Sequence, residues 1–232
     1  MTRNEKPKTK DQRPKAKEIS AILLAAGQSR RMGTFKPLLP FGNTTVIRSC
    51  INYLRAGGVR NIVVVSGHRA AELKASLAYL SSLQFVINPD PESEMSASIA
   101  CGVRGLPSST KAVLIALSDQ PAIPATVVQS IIESWRKGAK LIIPQFNERG
   151  GHPVLIDLEF REQLLTLDPE KGLRGLFDAH RNEVQRLDVN NPYIARDLDT
   201  WDDYLALHEE MFGAPPDTWT ANQQPGSRSR TN

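Results

Sequence analysis

Three cations, two glycines and one aspartate are the residues of this chain best suited to chemistry. Arg30, Arg31 and Lys36 follow the apolar run "AILLA" (residues 21–25) and are interleaved with Gly27 and Gly33. Guanidinium and ammonium groups beside a turn of small residues can hold several anionic oxygens. The small side chains also let a phosphate or a flat base approach the backbone N–H groups. The spacing excludes two familiar loops. A Walker loop has four residues between its glycines and Lys directly after the second; here five residues separate Gly27 from Gly33, and Lys36 comes three later. A dinucleotide fingerprint needs glycine two positions after the first, where Ser29 stands. The remaining readings are a different phosphate loop or a basic surface turn, and only the first requires Ala25-Ala26-Gly27 at the strand end. Asp119, in "LIALSDQP" (114–121), ends another apolar run. A carboxylate there can hold Mg2+, which takes one or two carboxylates and completes its shell with phosphate oxygens; aspartate is also a common turn former. Together the two features predict a phosphate-and-magnesium site.

These residues need strands to carry them. "ISAILLA" (19–25), "NIVVVSG" (61–67), "QFVINP" (84–89), "KAVLIALSDQP" (111–121) and "AKLIIPQ" (139–145) contain continuous apolar runs, the pattern of strands buried on both faces. Between them, Val46, Ile47, Cys50, Ile51 and Leu54 share one helical face that ends at Gly57-Gly58. "RAAELKASLAYLSSL" (69–83) reads as helix, and "PATVVQSIIESWRKGA" (124–139) as a helix started by Pro124 and stopped by Gly138. The alternation predicts an α/β fold with a mostly parallel sheet and helices on both sides. In such sheets ligands bind beyond the carboxyl ends of the strands. That assigns the site to the loops "AAGQSRRMG", "SGH", "NPDPESEMS" and "SDQP".

At 232 residues the chain can form one substantial core. Its formal charge of +4 is concentrated in residues 1–17, where seven Lys or Arg face Glu5 and Asp11. The remainder is close to neutral, so a nucleic-acid-binding body is not implied. The basic segment, almost devoid of apolar residues, is expected to be a disordered tail. Residues 209–232, rich in Pro, Gln, Asn, Gly and Ser, are expected to form a second one, confining the folded domain to residues 18–208. No signal peptide is recognisable, and no apolar run nears the roughly 20 residues of a membrane span. Cys50 and Cys101 lack metal-ligand or redox spacing, which fits buried thiols in a reducing cytoplasm.

"LAAGQSRRMGTFKPLLPFG" (24–42) resembles the LAAGxSxRMGxxKxLLPxxG signature of the molybdenum cofactor cytidylyltransferases. "VVVSG" (63–67), "NPDPESEMSAS" (88–98), "LSDQP" (117–121), "GGHPVLI" (150–156) and "DLDTWDDYLAL" (197–207) follow in the family's order, so the resemblance spans residues 19–208. It implies a Rossmann-like three-layer sandwich of the glycosyltransferase-A type. The implied reaction is Mg2+-dependent transfer of CMP from CTP to the terminal phosphate of molybdopterin carrying molybdenum, with release of pyrophosphate. By the same resemblance, the backbone from Leu24 through Ala25 and Ala26 to Gly27 meets the base and ribose. Ser66, Gly67, Asn88 and Ser98 line the base site, and Arg31 and Lys36 hold the triphosphate. Asp119 binds Mg2+ with Asp197 as second carboxylate, and His152 and Arg174 lie on the acceptor side. A molybdoenzyme client is the implied protein partner. Arg30 falls on a variable position of the signature.

One position distinguishes branches of the superfamily, and others depart from the family pattern. Ala26 stands where the related guanylyltransferases have glycine, which favours CTP over GTP. Glu94 precedes Met95 where the family has glycine, placing an acid near the triphosphate. "PEKGLR" (169–174) stands for "GDxGxR", and Trp201 for the proline of "DTPED". These changes are assigned to the acceptor side and leave a sugar or alcohol phosphate open as acceptor. A phosphate nucleophile is already ionised near neutral pH, so no general base is required and His152 is expected to position substrate or support its loop. A non-catalytic cofactor chaperone is the alternative of another class, against which Arg31, Lys36 and Asp119 argue.

Overall fold

The computed structural model describes residues 18–27, 31–67, 69–90 and 93–216. The basic segment 1–17, Arg30 and the residues after 216 lie outside the described residues. The first apolar run forms β1 (Ile19–Ala25), all seven residues of which are buried. A hairpin of β2 (Pro40–Phe41) and β3 (Thr44–Thr45) leads into α1 (Val46–Ala56), followed by β4 (Asn61–Ser66), α2 (Ala70–Ser76) and β5 (Leu83–Ile87). Next come α3 (Met95–Arg104), β6 (Ala112–Leu117), α4 (Ala125–Arg136), β7 (Leu141–Phe146), β8 (Arg149–Gly150) and β9 (Val154–Asp157). They are followed by α5 (Arg161–Leu165), α6 (Gly172–Ala179), β10 (Val184–Asp188) and α7 (Trp201–Phe212).

The main sheet has the order β10-β7-β9-β6-β1-β4-β5, with β8 paired to β7. β1 lies between β4 and β6 and is parallel to both, whereas β9 runs antiparallel to β6 and β7. Parallel neighbours require crossovers, and these place helices on both faces. Ala21, Leu23 and Ala25 of β1 belong to a core completed by Ile47 and Ile51 of α1, Leu73 of α2 and Ile131 of α4. Ile22 and Leu24 pack in a second core with Ile99 and Val103 of α3, Leu164 of α5 and Leu176 of α6. Alternate side chains of a strand point to opposite faces, so a strand covered on both sides has to be apolar throughout. The outcome is the expected α/β, Rossmann-like three-layer sandwich.

A third cluster, comprising Met32, Phe41, Val46, Ala122, Leu198, Tyr204 and Leu207, joins α7 to the hairpin and to the chain that follows β1. The Tyr204 hydroxyl donates to the Pro40 carbonyl at 2.6 Å. His208 accepts the Gly42 N–H at Nε2 (3.3 Å) and donates from Nδ1 to the Ala214 carbonyl (2.6 Å), the tautomer that serves both partners.

Two boundaries differ from the sequence reading. Helix α2 covers only Ala70–Ser76 and does not reach Leu83. The Ser76 hydroxyl turns back onto the Leu73 carbonyl at the end of the helix, and Ser82 adopts a positive φ where the chain turns into β5. Helix α7 continues to Phe212, beyond residue 208, where the composition places the start of a tail. The Phe212 ring packs edge-on against Phe41 at 4.9 Å between centroids, and at a tilt against His208 at 4.6 Å. Among the described residues no helix is long and apolar enough to cross a membrane. Both cysteines are free, Cys50 buried and Cys101 partly so; burial holds the Cys50 thiol well above its usual pKa.

Candidate active site

Strand register sets the floor of the site. Ala25 of β1 pairs with Ser66 of β4, and Leu24 pairs with Leu117 of β6, so three parallel strands end at one level. The Ser118 N–H donates to the Leu24 carbonyl at 3.1 Å, and the Asn88 N–H to the Ser66 carbonyl at 2.8 Å, closing the strand ends onto one another. A Cβ on Gly67 would sit 3.1 Å from the Ala26 carbonyl oxygen, so the β1 and β4 loops meet more closely than a side chain allows with comfort. Leu24, Ala25, Ala26, Gly27, Ser66 and Gly67 therefore form one small-residue edge. The buried Ser66 hydroxyl has no hydrogen-bond partner among the described residues.

The cations sit beside this edge. Lys36 opens a short 3-10 turn, Lys36–Leu38, and is buried. Its Nζ lies 3.0 Å from Oδ1 of Asp199, and Nη1 of Arg31 lies 2.9 Å from Oδ2 of the same carboxylate. Arg69 stacks over the ring of Phe35 at 4.4 Å, next to Lys36.

Asp119 follows β6. Its backbone carbonyl accepts the Leu198 N–H at 3.0 Å, which ties the 197–199 segment to the end of β6. Leu198 is fully buried, while Asp197 reaches Gln120 beside Asp119 and Asp199 reaches Arg31 and Lys36. Gln120, also buried, donates from Nε2 to Oδ1 of Asp197 at 2.7 Å. Burial first, and the Asp197 carboxylate second, push Asp119 up to about 6; Lys36 opposes them, and Asp199 adds a smaller push upward.

Among the described residues no three His, Cys, Asp or Glu side chains converge on one point. A carboxylate pair, Asp119 and Asp197, is nevertheless the donor set that suits Mg2+ or Mn2+, which complete their shells with substrate oxygens and water. Their mutual repulsion, evident in the raised Asp119, is what a divalent cation would relieve.

His152 precedes Pro153 and is held by its N–H on the Ile194 carbonyl at 2.8 Å. Burial lowers its pKa to about 4 despite the attraction of Asp197, so the ring is neutral at pH 7. The closeness of this loop to residue 194 depends on Gly151, where a Cβ would lie 2.2 Å from the Ile194 oxygen. Asn88 and Ser98 are both buried, and the Asn88 amide donates to the hydroxyls of Ser93 and Ser98 at 2.8 and 2.9 Å. The Asn88 amide thus uses both its N–H bonds to tie the loop before α3 to that helix's first turn. Glu94 is exposed and precedes the first turn of α3, where the helix N-terminus favours an acid. Arg174 is not gathered with the others: its side chain is 90% exposed on α6 and pairs with Asp178 at 3.8 Å.

Two residues of the site were not singled out by sequence reasoning. Asp199 and Gln120 lie beside recognised residues, and the Asp197-x-Asp199 alternation was the available signal. Trp201, named above as a departure from the family pattern, donates its indole N–H to the Met32 carbonyl at 3.1 Å. A proline at that position could not make this bond; Trp201 ties α7 to the loop that follows β1.

A parallel sheet whose carboxyl edge gathers small residues, two cations and paired carboxylates defines an α/β transferase that handles nucleotide phosphates. The comparisons with known proteins make the class specific. The model of the MobA-like NTP transferase domain matches residues 21–184, and the chain belongs to that family: it is a nucleotidyltransferase. The match ends before Asp197 and Asp199. Nicotine blue oxidoreductase of Paenarthrobacter nicotinovorans is 29% identical over 78% of this chain and 92% of its own. Molybdenum cofactor cytidylyltransferase of Escherichia coli K12 is 28% identical over 82% of this chain and 96% of its own. Rv0371c of Mycobacterium tuberculosis superposes with a TM-score of 0.74 at 27% identity, covering 83% of this chain and 97% of that one. Its complex with manganese superposes at 0.71 and 26% identity, covering 83% and 98%.

Proposed function

We propose that this chain is a divalent-cation-dependent cytidylyltransferase that transfers CMP from CTP to the terminal phosphate of molybdenum-bearing molybdopterin and releases pyrophosphate. The observation that carries the reading is the gathering of Arg31, Lys36, Asp119 and Asp197 at the carboxyl edge of β1 and β6. The backbone of Leu24–Gly27 would receive the nucleoside, with Ser66 offering its idle hydroxyl at the same level. Lys36 and Arg31 would offset the charge that accumulates on departing pyrophosphate. Asp119 and Asp197 would hold Mg2+ or Mn2+, which when bound neutralises phosphate oxygens around the reacting phosphorus; the manganese complex of Rv0371c supports that choice of ion. His152, neutral and hydrogen-bonded through its backbone, suits a positioning role near the acceptor and not a cationic one. The acceptor rests on likeness to the E. coli enzyme. Because a relative of equal similarity is named an oxidoreductase, the test has to read group transfer itself.

Purified protein, molybdopterin and equal CTP and GTP, with Mg2+, should yield the cytosine dinucleotide and pyrophosphate. GMP incorporation, or CMP transfer only to a sugar or alcohol phosphate, would replace this assignment. Asp119→Ala should reduce pyrophosphate release by on the order of a hundredfold or more, with the fold intact by circular dichroism.

A further inference from the structure

Arg31 and Lys36 already hold an anion. Nη1 of Arg31 and Nζ of Lys36 bond different oxygens of one carboxylate, Asp199, at 2.9 and 3.0 Å. A phosphate would offer the same two cations two oxygens in the same fashion. We propose that Asp199 is the resident counter-anion of the triphosphate subsite. It holds the two cations in place while no nucleotide is bound, and an incoming polyphosphate has to displace it. This rests on the reading that Arg31 and Lys36 take the triphosphate.

The backbone on both sides of Asp199 is fixed. Leu198 is buried and donates to the Asp119 carbonyl. Thr200 caps α7 reciprocally, with its N–H and hydroxyl on the Asp203 carboxylate and the Asp203 N–H on its hydroxyl. Exchange of Asp199 for phosphate is therefore a rotation of one side chain and not a movement of the loop. Accessibility favours that exchange. The side chains of Asp199 and Arg31 are 46% and 73% exposed, so either can turn toward water, whereas Lys36 is 11% exposed and stays where it is. A sequestered ammonium needs an anion beside it in both states, and Asp199 supplies one before the nucleotide arrives.

Charge sets the direction of the effect. Asp119 and Asp197 already repel one another, and a polyphosphate approaching with Asp199 still on the cations would meet a third carboxylate. Asp199 thus competes with the substrate for Arg31 and Lys36, and its charge, not its shape, lowers affinity for polyphosphate in the absence of a divalent cation.

The test is calorimetric titration of inorganic tripolyphosphate, in EDTA at low salt, into the full-length protein and its Asp199→Asn, Asp199→Glu and Lys36→Ala variants. Asp199→Asn should bind about three- to tenfold more tightly than the parent, and the gain should shrink as salt is raised. Asp199→Glu, which keeps the charge, should stay close to the parent. Equal or weaker binding by Asp199→Asn overturns the proposal, as does an Asp199→Glu variant that gains as much as the Asn variant. Lys36→Ala should lose about tenfold or more. Binding that ignores the loss of Lys36 removes the triphosphate reading itself, an outcome separate from failure at Asp199.

Discussion

Asp119 illustrates how a site group can work against the fold that carries it. Its carboxyl has a pKa of 3.8 in the unfolded chain and about 6 in the folded one, because of burial and then Asp197. Between those values the folded protein holds a proton that the unfolded chain has released. Stability is therefore lost as pH rises from about 4 to about 6, and the loss is complete above that window. Asp119→Asn removes the ionisation. It should stabilise the protein by about 1–3 kcal/mol at pH 7, and the advantage should fade as pH approaches 4. Thermal unfolding of both proteins across pH 4 to 8 checks this; equal stability at pH 7 would mean that Lys36 already compensates the carboxylate. Asp119, Arg31 and Lys36 could be read from the sequence because each follows the end of an apolar run or lies in a glycine-bounded loop. Asp199 could not be read in the same way. Its partners lie 168 and 163 positions away, and no local pattern connects an aspartate before a helix to cations that distant.

The same asymmetry holds among the elements. β1, β4, β6 and β7 announce themselves because strands covered on both faces must be continuously apolar. The two-residue strands β2, β3 and β8 are too short to show any period, and β10, "VQRLD", is half polar because its side chains are partly or fully exposed. The antiparallel run of β9 between β6 and β7 is fixed by pairing and not by composition. Helix α7 carries the element-scale consequence for the site, since its first residue is tied to the loop that follows β1 by the bond from Trp201 to the Met32 carbonyl. Trp201→Phe keeps an aromatic ring beside Tyr204, now 5.8 Å away, and deletes the N–H together with part of the indole's bulk. A hydrogen bond of this kind contributes about 1 kcal/mol, so KM for the nucleotide should rise about fivefold while kcat changes little. Steady-state kinetics decides: a fall in kcat at constant KM would place the indole in the chemical step instead of in the brace.

Among the described residues, two cores are divided by one sheet, and a third cluster outside them secures the loop that follows β1. The third cluster is small, and its main contributor, α7, covers the β2–β3 hairpin without adding a strand to the sheet. Such an arrangement predicts that α7 can loosen while the sheet remains closed. Leu207 is fully buried in that cluster, and Leu207→Ala should cost about 2–4 kcal/mol. If the cluster opens on its own, that cost falls on local opening: amide hydrogen exchange should quicken in α7 and in residues 31–41, with β1, β4 and β6 exchanging as in the parent. Acceleration of β1 and β4 by the same factor as α7 would show that the three clusters open as one. In that case the cations of the site are no easier to release than the central strand from which their loop departs.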